Sequence, residues 1–221
     1  MTSKDKVVEL IQDKSYDQLT ELAKKNKGIF RNMLSLTYDK GEAICWLTIE
    51  AIGVVSGRIA VERPEVVRDL IHRLLYSMSD ESGGIGWSSP EILGEIVRNS
   101  PDLFPDIAPV ITSFHDEEMF RCGVFRAIGR IGSVRQDLVK SSTEILLGYL
   151  SHPDPSVRGY AVWALGELMA MDALGKLETM MDDNGRFMIY EDGKLSEITA
   201  GMAAKEAIKK INRKQLQSLP H

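Results

Sequence analysis

One phrase recurs along this 221-residue chain. EAIGVV surrounds Gly53, EILGEI surrounds Gly94, RAIGRI surrounds Gly129 and WALGEL surrounds Gly166. The glycines lie 41, 35 and 37 residues apart, and a degenerate copy, EAIKKI, puts Lys209 at the same place 43 residues on. A helical apolar pattern repeating at roughly 35–45 residues predicts stacked helix pairs, each burying its apolar face on its neighbours. Such a stack is more often a surface for holding something than an enzyme.

Composition narrows the classes. Hydrophobic residues make up 43% and charged residues 27%, the balance of an ordered globular chain. A net charge of −5 argues against general binding to phosphate backbones, so a nucleic-acid partner is not expected. No uninterrupted apolar run reaches about 18 residues, so no membrane span is expected. The opening MTSKDKVVELIQDKS is too charged for a signal peptide. Cys45 and Cys122 form neither a CxxC nor a disulfide framework. The expectation is a cytoplasmic protein.

The pattern divides into an N-terminal helical cap at 1–27, five repeats over 28–212 and a tail at 213–221. In the cap, Ser15 is placed to start the second of two short helices. The repeats pair helices near 28–37 and 43–56, then 65–78 and 90–99. A third outer helix starts at Ser100-Pro101 and is followed by an inner helix near 118–131. TEILLGYL and VRGYAVWALGELM make the fourth pair, in which Val157, Ala161, Ala164, Leu165 and Leu168 form a buried stripe. RFMIYEDGKLSEI reads as a β-hairpin turning at Asp192-Gly193, near 186–199 and leaning on the last helix pair. Met169, Met171, Met180 and Met181 read as core filler. The fold class is all-α with one small hairpin insertion.

LSHPDPSVRGYAVWALGEL resembles the HEAT-like repeat consensus, in the variety found in phycobilisome bilin lyases. Asp154, Pro155, Val157, Arg158, Ala161, Ala164, Leu165 and Gly166 carry the likeness. DESGGIGWSSPEILGEI is similar to a stretch in a small group of uncharacterised prokaryotic HEAT-repeat proteins. The resemblance implies a right-handed α-α superhelix, a HEAT-like solenoid whose second helices line the concave side.

Laid over one another on their glycines, the repeats put Glu50, Glu91, Arg126 and Trp163 in one column. Val54, Glu95, Arg130 and Glu167 form a second column, and Trp46, Trp87, Cys122 and Gly159 a third. Residues four apart share a helix face, so these columns are expected on one inner surface, with Arg126 beside Glu91 and Arg130 beside Glu95. One reading is inter-repeat ion pairs that set the curvature. A second is a recognition surface, since Arg and Trp are enriched at binding hot spots. A third is a carboxylate pair, Glu91 and Glu95, able to share a proton or a metal.

The turn SGGIGW carries Gly83, Gly84 and Gly86 before Trp87. Ser88 or Ser89 caps the following helix, with Pro90 at its first position. The glycines free the backbone for close approach. The turn reads as a packing turn for Trp87, as an adaptable recognition loop anchored by it, or as an anion site opposed by Glu81 and Glu91.

No histidine stands in a ligand pair, and the repeated His-Glu motifs of deoxyhypusine hydroxylase, a HEAT-repeat metalloenzyme, are absent from the sequence. No metal, cofactor or catalytic residue is predicted. HEAT-like alkylpurine DNA glycosylases bind DNA with tryptophans and a carboxylate on a basic face; Trp87, Trp163, Arg126 and Arg130 are similar to that set, but glutamates interleave here. The expected function is a non-catalytic module, an adaptor, scaffold or assembly factor, gripping a protein or peptide on its concave face. Its binding residues would be Gly83, Gly84, Gly86, Trp87, Glu91, Glu95, Arg126, Arg130, Trp163 and Glu167. The alternative is an enzyme or enzyme subunit, bilin-lyase-like or glycosylase-like.

Overall fold

A computed structural model of the chain describes residues 3–26, 28–79 and 86–217, with side chains over 4–26, 28–79 and 87–213. The fold is all-α and HEAT-like with one small two-stranded antiparallel sheet. It forms two compact units: Met1–Ile107 with Tyr190–Leu195, and Ala108–Ile189 with Ser196–His221.

The first unit holds α1 (Ser3–Gln12), α2 (Tyr16–Lys25), α3 (Gly28–Leu34), α4 (Ala43–Ala60), α5 (Pro64–Ser79), a 3₁₀ turn (Gly86–Ser88) and α6 (Ser89–Asn99). α4 is its hub: α1, α2, α3, α5 and α6 all pack on it. Ser15 stands at the N-cap of α2, but its hydroxyl makes no capping bond. α4 also corrects an expectation about composition. Glu50 and Arg58 interrupt its apolar run, yet its 18 residues average a hydropathy of 1.5 and are long and apolar enough to cross a membrane by length and composition. Of that window 61% is buried within the fold, and packing against five helices accounts for the apolar character.

Next come α7 (Ile107–Ser113), a 3₁₀ turn (Phe114–Asp116), α8 (Arg121–Gly132), a 3₁₀ turn (Gln136–Leu138), α9 (Ser142–Gly148) and α10 (Pro155–Glu167). A 3₁₀ turn (Met171–Ala173), α11 (Leu174–Thr179), strands β1 (Arg186–Glu191) and β2 (Lys194–Thr199), and α12 (Ala200–Gln217) follow. In the second unit α10 packs on α8, α9 and α12. Its start is well made: Asp154 accepts from the Ser156 amide at 2.7 Å, and Pro155 opens the helix. The third outer helix begins at Ile107, not at Ser100-Pro101. Pro105 explains the delay, because a proline disfavours helical backbone at the residue before it and donates no amide. Of the four clustered methionines only Met180 is buried; Met171 and Met181 are exposed.

The recurring glycine has a steric cause. A Cβ on Gly53 would stand 2.6 Å from the Glu95 Cβ and 2.8 Å from its carbonyl oxygen, so α4 and α6 touch nearly backbone to backbone. A Cβ on Gly166 would meet the Ala207 Cβ at 2.7 Å, where α10 meets α12. Lys209, at the equivalent place on α12, is exposed and pairs with Glu206 at 2.6 Å.

The hairpin forms where expected, with Asp192 at φ 49° and Gly193 at φ 81° making the turn. Its first strand packs on the fourth pair: Phe187 lies edge-on to Tyr160 at 5.5 Å, and the Tyr160 hydroxyl donates to the Met188 carbonyl. Its base is tied to the last helix, where the Ala200 amide donates to the Gly185 carbonyl at 2.8 Å. Its tip, Tyr190–Leu195, belongs to the first unit.

Candidate functional site

Gly83 and Gly84 lie outside the described residues; Gly86 begins the 3₁₀ turn that delivers Trp87. Ser88-Ser89-Pro90-Glu91 has the pattern of a capping box, in which serine and glutamate satisfy each other's end of the helix start. Here both side chains are diverted. Ser88 stands at the N-cap without a side-chain capping bond, and its hydroxyl donates to the Thr37 carbonyl at 2.7 Å. The Glu91 carboxylate accepts from Lys40 Nζ at 2.6 Å. Lys40 also donates to the Trp87 carbonyl at 2.7 Å, and the Lys40 carbonyl accepts from Trp46 Nε1 at 2.9 Å. The loop joining α3 to α4 is thereby tied to the start of α6.

Two aromatic side chains in the segments that this joint ties together are exposed. Trp87 is 57% exposed and Tyr38 54%. The side chains of Glu91 and Cys45 are buried. Glu91 is 3% exposed, and its second oxygen, Oε2, has no hydrogen-bond partner among the described residues. Cys45 lies beside it, fully buried; burial pushes its thiol up to about 12, the Glu91 charge pushes the same way, and Lys40 opposes both. On α2 the Tyr16 phenol is raised by burial and then by the charges of Glu50 and Glu95.

The predicted open columns are not open. Residues 89–97 of α6, 123–129 of α8 and 159–166 of α10 are buried without a break, so these helices keep no exposed face there. Glu91, Glu95, Arg126 and Trp163 are all interior. Glu95 is buried because Gly53 lets α4 close on its backbone. Trp163 is buried because its indole lies against Gly129, while the Arg126 guanidinium sits 5.4 Å from its ring centre as a cation–π partner. Arg130 is half-buried, and Glu167, also half-buried, forms an ion pair with Lys210. Glu91 and Glu95 belong to the first unit; Arg126, Arg130, Trp163 and Glu167 belong to the second. Only Trp87, of the predicted side chains, stands well out in solvent.

Three participants escaped the sequence reading. Lys40 sits in the turn YDKGE, which reads as a connector. Tyr38, two residues earlier, has no repeat position. Tyr190 is one β-leaning residue of the hairpin, yet its ring stacks on Trp46 at 5.8 Å and 10°. Long-range partners of this kind leave no periodic mark.

Comparison with known proteins places this geometry in context. The HEAT repeat family model matches residues 143–171, the stretch that forms α9, the turn after it and α10. An uncharacterised protein of Archaeoglobus fulgidus is 33% identical over 136 residues, covering 60% of this chain and 70% of that protein.

Proposed function

Because the chain belongs to the same family as the Archaeoglobus fulgidus protein and carries a HEAT repeat, we propose that it is a non-catalytic protein-binding module. HEAT repeats are generally protein-interaction modules. The module grips a protein or peptide through the surface bearing Trp87 and Tyr38. The observation that carries this reading is the exposure of Trp87 beside a helix buried from Ser88 to Val97. A large aromatic on a backbone held from below is a preorganised anchor: its carbonyl is fixed by Lys40, so little freedom is lost on binding. Glu91 then supports the anchor without touching the partner. The lyase-type variety of the repeat is proposed on the residues of α10 and its flanks.

A photoreactive phenylalanine analogue at position 87, in cells of the native host, tests this. The expected result is a discrete covalent adduct with another protein, absent when the analogue replaces Tyr76, which is 73% exposed on α5. No adduct at position 87, or the same adduct at both positions, overturns the reading.

A further inference from the structure

The tip of the hairpin occupies a seat on the first unit in the manner of a bound peptide. Tyr190 is 1% exposed and stacks parallel on the Trp46 indole. Its hydroxyl donates to Glu50 Oε2 at 3.4 Å. Trp46 and Glu50 lie one turn apart on α4, so the seat is one helix face that offers an aromatic floor and a carboxylate acceptor. Beyond the tyrosine the tip carries Glu191 and Asp192 and then turns at Gly193, where a Cβ would stand 3.8 Å from Lys14 Nζ. A cation therefore stands beside the acidic turn. The occupant is a two-stranded hairpin, a structure only marginally stable by itself.

We propose that Trp46, Glu50 and Lys14 form a receptor for a tyrosine followed by acidic residues at a tight turn, and that the chain's own tip is its resident occupant. A protein partner presenting a turn of that chemistry displaces the tip and takes the seat. The chemistry of the partner is read from the occupant: a ring to stack, a phenol to donate, and negative charge for Lys14. The tip thereby sets a threshold, because the seat is available only in the fraction of molecules whose tip has lifted. The seat adjoins the Trp87 surface through Lys40, whose carbonyl accepts from the Trp46 indole and whose ammonium holds the Trp87 carbonyl. The tests tell the two readings apart: peptide competition reads the seat, and crosslinking at position 87 reads the surface.

The test uses the full chain carrying Tyr190→Ala and a fluorescent peptide of the sequence RFMIYEDGKL, residues 186–195. The variant is expected to bind the peptide. The unsubstituted chain should bind it at least roughly ten-fold more weakly, since its own tip competes. A peptide with alanine for the tyrosine should bind neither. A folded variant that ignores the peptide, or equal binding by both chains, overturns the proposal. Hydrogen exchange on the unsubstituted chain gives a second measurement that needs no variant. Amides of 188–195 should exchange about 100-fold faster than those at the centre of α4, through local opening. If the tip and α4 lose protection together, the tip is core and the seat is not exchangeable.

Discussion

Gly129 and Trp163 face each other so closely that a Cβ on the glycine would fall on the indole carbons. The indole is buried, and the Arg126 guanidinium stands over its ring. Gly129→Ala should therefore destabilise the fold by about 1–3 kcal/mol, the usual cost of overpacking a filled site. Trp163→Leu in the same chain should recover part of that loss, since the two sites couple. Urea denaturation of the two single variants and the double variant measures it; strictly additive effects would show that the contact is not the cause.

Lys40→Met should leave the Glu91 carboxylate buried without its cation. The Lys40 side chain is a third exposed, so the cost falls below that of a fully interior pair, at about 1–3 kcal/mol. Glu91→Gln in the Lys40→Met background should restore stability by removing the stranded charge. Thermal melts of the unsubstituted chain and the two variants check this, and an unchanged Lys40→Met variant would refute it.

Arg158 holds Asp183 at two points, 2.7 and 3.0 Å. Its hydrogen bonds pull the Asp183 carboxyl below the ordinary aspartate value of 3.8, against a smaller opposing effect of burial. The folded form thus gives up this proton more readily than the unfolded form. The pair's contribution is complete above the ordinary value and disappears as pH falls through the lowered one. Asp183→Asn should cost about 1.5–3 kcal/mol at pH 7. The gap from the unsubstituted chain should narrow below about pH 4, as denaturation midpoints between pH 3 and 7 would record.

Cys45 and Cys122 should differ sharply in reactivity. Burial holds the Cys45 thiol up at about 12, with Glu91 adding to the effect, so almost no thiolate exists near neutrality. Cys122 is partly exposed. Iodoacetamide at pH 8 should label Cys122 in the native protein and reach Cys45 only on unfolding. Peptide mapping by mass spectrometry reads the order, and early labelling of Cys45 would contradict it.

The repeat was legible because it has a steric cause: Gly53, Gly129 and Gly166 each stand where another side chain or backbone comes too close for a Cβ. The hairpin was legible because Asp192-Gly193 supplies the two left-handed residues its turn requires. The site was less so. Counting four residues along α6 places Glu91 and Glu95 on one face correctly, but helical periodicity cannot say whether that face is open. It proved closed, because these inner helices are covered on every side along their middles. Ser88 and Glu91 have the sequence of a local cap, and only the fold shows that Thr37 and Lys40 take both side chains. Lys40 and Tyr190 act across long stretches of chain, where no spacing rule reaches.

The stacking of Tyr190 on Trp46 also sets an order of events during synthesis. Glu50 and Tyr190 are 140 residues apart in the chain. At about 5–20 residues per second, the ribosome delivers the tyrosine on the order of ten seconds after the α4 residues that receive it. During that interval Trp46 is a nascent-chain surface without its lid. Until the tyrosine arrives, the Trp46 indole lacks the ring that stacks on it, a form the finished protein returns to only when its tip has lifted.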